Sequence, residues 1–207
     1  MPPRAFDSSI LENPPWLKSK RKYKMGLSPT SFDTWITRNP KAAILDHKKQ
    51  LLTENYEKVV AATDDSQPGQ IALGAFTKLC CESVYPAPIA NIASQIAEDV
   101  CIIDTSDNNR FIAGCVCSPS YWDLNKKIGQ PLWDVHQPVD GLNNYLGENI
   151  DRVINGLTHK RPFERENWFV HGNTKRMHLS PEEDLNNEPN SWFIRTERET
   201  LCRIHED

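Results

Sequence analysis

The stretch RFIAGCVCSPSYWDLNKKIGQPLWDVHQPV, Arg110 to Val139, constrains the fold more than any other part of the sequence. Phe111 to Cys117 is an unbroken run of apolar and small residues, the pattern of a buried strand. Ser118-Pro119 interrupts it and offers a helix start, a capping serine followed by proline at the first helical position. The expected short helix carries Tyr121, Trp122 and Leu124 and stops at Gly129. Beyond it, Pro131 and Pro138 bracket His136, which stands close to Trp133 and Val135. An imidazole held among apolar residues on a proline-stiffened backbone suits an axial iron ligand. It equally suits an ordinary buried histidine, and the pattern alone does not choose.

The surrounding sequence frames that stretch. Ala97 to Asp104 reads as a strand, Thr105 to Asn109 as a polar turn, and Arg110 to Cys117 as the hairpin partner. Cys115 and Cys117 share a strand face, where packing is favoured over soft-metal contact because no second ligand pair follows. Upstream, residues 1–24 form a proline-rich, basic arm. A long helix starts at Pro40, with Leu45, Leu51, Leu52, Tyr56, Val59 and Val60 as its apolar stripe. Asp64 to Gly69 reads as a loop and Gln70 to Ser83 as a second helix, ended by Pro86 and Pro88. Downstream, Asp140 can cap a helix striped with Leu142, Tyr145, Leu146, Ile150, Val153, Ile154 and Leu157.

Arg161 to Val170 alternates aromatic and charged residues as a strand does, and residues 171–190 form a long polar loop holding His171 and His178. Those histidines are not spaced for one helix face, and His159, next to Lys160-Arg161, reads as exposed. The last element runs from Trp192 to Ile204. If it is extended, Phe193, Arg195, Glu197 and Glu199 face one way, and Ile194, Thr196, Arg198 and Thr200 the other. One solvent surface cannot serve arginines on both faces, so one of them is expected to point into a pocket.

Composition narrows the function. The 24 basic and 28 acidic residues give a net charge of −4, no global reason to expect nucleic acid or an anionic membrane as partner. No apolar run approaches the roughly 20 residues of a membrane span, and the start lacks the apolar core of a secretory signal. The six cysteines show no CxxC spacing, which fits a reduced, cytoplasmic protein. Glycine-rich phosphate loops, HExxH and nucleophile-elbow motifs do not occur, which sets aside the familiar small-motif enzymes. The residues alone thus describe an α+β domain with a candidate internal histidine and candidate buried arginines.

In order along the chain, AGCVCSPSYWDLNKKIGQPLWDVHQPV, RPFERENW and WFIRTERETL resemble the family typified by the α subunit of haem-dependent oxidative N-demethylase. GLSPTSFDTWI, Gly26 to Ile36, also resembles that family's N-terminal region, so the likeness covers about residues 25–204. The resemblance implies a single PAS-like haem-binding domain over 25–207: an antiparallel sheet with flanking helices, helical over about 25–96 and sheet-containing over about 97–207. It also implies haem b as cofactor, and dioxygen-dependent oxidation of a small secondary amine, such as dimethylamine, to a primary amine and formaldehyde. No nicotinamide, flavin or iron–sulfur motif is evident, so separate reductase subunits are the implied electron source.

Residue by residue, the family's Ile-His-x-Pro-Val matches Val135-His136-Gln137-Pro138-Val139, which implies His136 as the proximal iron ligand. Arg-x-Asn-Trp matches Arg165-Glu166-Asn167-Trp168. Arg-x-Glu-Arg-Gln-Thr-Leu matches Arg195 to Leu201, with Glu199 where glutamine is usual. Trp133, Arg165, Asn167 and Thr200 join His136 as the implied cofactor contacts, and Arg195, Arg198 and Glu197 as the implied catalytic set. An arginine there can stabilise bound dioxygen, pair with a haem propionate, or form a cross-strand salt bridge with Glu197 or Glu199. Glu182, Glu183 and Asp184 are alternative amine contacts. The family pattern continues past this motif, whereas this sequence ends at Asp207, so an exposed sheet edge is expected. A non-catalytic haem or small-ligand sensor and an inactive family member are the alternatives to the enzyme.

Overall fold

The computed structural model describes Tyr23 and residues 25–81, 84–180 and 189–205. The arm, apart from Tyr23, and Glu182, Glu183 and Asp184 lie outside the described residues. The fold is α+β, but its strands form two antiparallel three-stranded sheets rather than one. The first sheet has the order β2 (Val60–Ala62), β4 (Arg110–Cys115), β3 (Val100–Asp104). The second has the order β1 (Ser28–Pro29), β5 (Phe163–His171), β6 (Phe193–Leu201), with all nine residues of β6 paired to β5.

The expected β3–β4 hairpin is present, shorter at each outer end than the sequence suggests, with a register shift between Ile102 and Ile103. The shift leaves Ile112 of β4 as the extra residue, and the ordinary strand alternation puts Ile102 and Ile103 on opposite faces, each with its own core. Ile102 joins Leu52, Val59, Ile89, Ile92 and Cys115 under the helices α2 (Ala42–Glu54), α3 (Tyr56–Val59), α4 (Gln67–Thr77) and α5 (Pro88–Ala93), which follow the single-turn α1 (Phe32–Trp35). Ile103 joins Phe111, Val116, Leu124, Leu132, Val135 and Ile154 under α6 (Leu132–His136) and α7 (Leu142–Asn155). Gly114, next to last in β4, lets Leu124 and Phe111 of the second core close over the strand, since a Cβ there would stand 2.7 Å from Leu124 Cδ1 and 2.9 Å from Phe111 Cζ.

Several boundaries differ from the sequence reading for identifiable reasons. The helix from Pro40 breaks at Asn55, and Val60 opens β2, where a β-branched residue gains the ladder to Cys115. The loop read over Asp64–Gly69 is already helical from Gln67, with Pro68 in the first turn, where its missing N–H costs nothing. That helix ends at Thr77 instead of Ser83, because Lys78 takes the left-handed conformation at φ 56°. Gly141 (φ 72°), not Asp140, caps α7.

Ser118-Pro119 starts no helix. Tyr121 adopts φ 66°, Ser120 bridges to His178, and only Leu124–Lys126 forms a 3₁₀ turn, capped by Asp123. Pairing with a segment distant in sequence satisfies this backbone in extended form, so the local cap signal is overridden.

Candidate functional site

The inward face of the β5–β6 ribbon is polar. Its register sets Arg165 opposite Glu199, Asn167 opposite Glu197, and Phe169 opposite Arg195, all on one face. Arg165 Nε lies 2.9 Å from Glu199 Oε2, and Asn167 Nδ2 donates to Glu199 Oε1. Cys101, on the neighbouring sheet, is reached by solvent, yet burial pushes its thiol up to about 12, reinforced by the charges of Asp99 and Glu199. The Glu199 charge acting on Cys101 sets β3 beside the polar face of the ribbon.

His136 ends α6 at the border of this region. Burial, first, and then the positive charges of Lys127 and Arg165 hold its imidazole below 6.5, against a smaller opposing pull from Glu199. Its Nδ1 is buried without a hydrogen bond of ordinary geometry among the described residues, although the Leu132 backbone lies near enough to favour the charged ring slightly. Lys127 Nζ donates to the Val135 carbonyl at 2.6 Å and stands over Trp122, 5.6 Å from the ring centroid. The result is a neutral histidine with adjacent cations.

Other residues singled out from the sequence sit elsewhere. Trp133 is 47 % exposed and leans on α7, where a Cβ on Gly147 would come within 2.2 Å of its ring. Arg198 and Thr200 occupy the outer face of β6; Arg198 pairs with Glu164 at 2.7 Å and donates to the Thr34 carbonyl at 2.6 Å. Arg195 is on the inward face, donating to the Ser118 carbonyl and, at 2.7 Å, to the Arg176 carbonyl, with Glu197 at 2.8 Å. The arginines therefore do take opposite faces.

Glu197 is held above the usual carboxylate range, chiefly by burial and also by Glu199 and Asp99, while Ser120 and Arg195 pull it down. The partners of Glu197 bring in residues that the sequence reading did not place at the site. Ser120 donates to Glu197 Oε1 at 2.6 Å and lies 3.4 Å from His171 Nε2. His171 is not in the loop but ends β5, 1 % exposed, and His178 is 5 % exposed. The strand alternation of Arg165, Asn167, Phe169 and His171 was the signal that would have extended this face to His171. Ser120 and His178 left no such signal, since a 58-residue separation brings them together.

An open cleft of about 490 Å³, lined by Phe32, Asp33, Trp35, Arg38, Phe76, Lys78 and His159, contains none of the implied site residues. Its size does not make it the site of the chemistry. No group of three or more His, Cys, Asp or Glu among the described residues can hold a bare metal ion. No described helix is long and apolar enough to cross a membrane.

Comparison with known proteins gives no match to a curated protein. A family model described as "Haem-dependent oxidative N-demethylase, alpha subunit-like" matches residues 72–207, more than half of the chain. That span carries His136, the Arg165–Glu199–Asn167 cluster and Glu197, and over it the chain belongs to the haem-dependent oxidative N-demethylase alpha-subunit-like family.

Proposed function

We propose that this chain is a PAS-like oxidative N-demethylase that holds haem b through His136 and acts on a small secondary amine of the dimethylamine type. The observation that carries this is the state of His136. An iron ligand must be neutral and offer a ring nitrogen, and an imidazole held neutral by burial and by the Lys127 and Arg165 charges meets that need. Lys127 and Arg165 supply positive charge for propionates, and a single histidine with a macrocycle suits described residues that offer no multi-ligand metal cluster. Bound there, haem would supply dioxygen activation and oxidation of the N-methyl group, with formaldehyde and primary amine as products.

The chain's own residues bind and orient. A secondary amine is a cation at neutral pH, and Glu197 is the carboxylate that can receive it or take its proton. Arg195 orients Glu197, and Arg165 with Asn167 orients Glu199. Arg198, tied to Glu164 and Thr34, anchors the ribbon to the segment around α1. Reducing equivalents come from separate reductase subunits, consistent with an alpha-subunit family name.

A haem or small-ligand sensor without turnover is the second reading, favoured by the engagement of both terminal nitrogens of Arg195 with protein acceptors. The test is the absorption spectrum of purified protein titrated with hemin, followed by formaldehyde detection with amine, dioxygen and reductant. The proposal expects a sharp, saturable Soret band, shifted or lost in His136→Ala, and formaldehyde from the wild type. Absence of saturable haem binding by folded protein overturns the enzyme and the haem-sensor readings together; binding without formaldehyde leaves the sensor.

A further inference from the structure

A cluster of the buried His171, His178 and Ser120 with Tyr121, beside the polar face of the ribbon, has no part in the chemistry described so far. Where β5 ends, the His171 and His178 rings lie 4.1 Å apart at their centroids, with Tyr121 4.6 Å and 5.8 Å from them. Burying imidazoles is costly unless their polar atoms are satisfied. The donors here can be assigned. A carbonyl only accepts, so His178 Nε2 donates to Lys175 O at 2.8 Å. Ser120 has one proton, and it goes to Glu197 Oε1 in the 2.6 Å bond. With that proton committed to Glu197, a hydrogen bond between Ser120 Oγ and His171 Nε2, 3.4 Å apart, has the imidazole as its donor. Every donor in the series His171, Ser120, Glu197 points the same way, towards the carboxyl group on the inward face of β6.

We propose that Ser120 and His171 are positioning residues that form a proton relay sharing one proton between His171 and Glu197. In one transfer the His171 Nε2–H bond breaks as Ser120 Oγ takes that proton, while the proton already on Ser120 moves to Glu197 Oε1. The transfer starts from His171 with both ring nitrogens protonated and an ionised Glu197: imidazolium becomes imidazole, carboxylate becomes carboxylic acid, serine ends unchanged, no electrons move, and the reverse transfer along the same path restores both groups. The 3.4 Å contact is the longest link and limits the transfer. Arg195, Glu199 and Asp99 are the charged groups acting on Glu197, and Tyr121, Phe169 and His178 are the rings against His171. The use of the proton, in amine oxidation, rests on the N-demethylase reading; the relay itself does not.

The two are therefore tested separately. In the haem-free full chain, the Glu197 carboxyl carbon and the His171 ring nitrogens are followed by NMR against pH. The expected result is that each nucleus reports both transitions, as groups sharing a proton do. Ser120→Ala should reduce each to one transition, and Ser120→Thr, which keeps the hydroxyl, should restore the shared behaviour. Independent single transitions in folded wild type overturn the relay. If Ser120→Ala does not fold, His171→Gln is read at Glu197 alone, where the second transition must vanish; its persistence also overturns the relay. Hemin binding and formaldehyde release by the wild type are measured alongside. Their failure sinks the N-demethylase reading and leaves the shared titration standing.

Discussion

Replacing Lys48 with methionine should cost this fold about 3–5 kcal/mol. Lys48 is 1 % exposed on α2, and its ammonium group donates to the Ala93 carbonyl at 3.0 Å and to the Glu98 carbonyl, with Asp99 Oδ1 at 3.6 Å. Methionine keeps most of the apolar stem, so little packing is lost and the change reports on charge. It leaves acceptors at the end of α5 and the start of β3 without their donor, beside a half-buried carboxylate whose other oxygen accepts from Ser118 N at 2.7 Å. Against a total stability of about 5–15 kcal/mol, this is a large fraction. Urea unfolding followed by far-ultraviolet circular dichroism measures it. The double variant Lys48→Met/Asp99→Asn should recover about 0.5–3 kcal/mol relative to the sum of the single changes, because the orphaned charge is gone. A cost below about 1 kcal/mol for Lys48→Met would refute the reasoning that an uncompensated buried charge dominates.

The same logic extends to the site. Glu197 is raised by burial, so in the folded state it binds its proton more tightly than in the unfolded chain. Its favourable contribution is complete below the ordinary value of 4.5 and is lost as pH rises through the raised folded value. Thermal unfolding of the haem-free chain against pH should therefore show stability falling across that window in wild type and flatter in Glu197→Gln; parallel profiles would contradict it. Gly147→Ala gains about 1 kcal/mol of helix propensity but forces Trp133 from a Cβ position 2.2 Å from its ring, at about 1–3 kcal/mol. Trp133 is half exposed and can swing out, so the expected outcome is a net loss of about 1 kcal/mol with red-shifted tryptophan emission. Unchanged emission would show that the contact does not hold the ring.

Much of the fold was legible because its signals are periodic and local. The alternation in Phe163–His171 and Phe193–Leu201 marks strands, and the Leu142–Leu157 stripe marks α7. The β3–β4 hairpin follows from two apolar runs about a polar turn. The placement of Arg195 and Arg198 on opposite faces needs only a period of two. What failed was a local signal in conflict with distant pairing, as at Ser118-Pro119 and at Val60.

The sequence by itself determined the family, the strand faces of the motif residues and the histidine in its proline-bracketed setting. Only the tertiary structure decided that Ser120, on an irregular segment, meets Glu197 from β6 and His171 from β5, 77 and 51 residues away. It alone decided that a buried lysine on α2 lies against Asp99, whose charge is felt by Glu197 on the ribbon. The physical reason is that periodicity encodes which way a side chain points. What it meets depends on how the sheets and helices bury their apolar faces against one another, and that is a property of the packed chain as a whole.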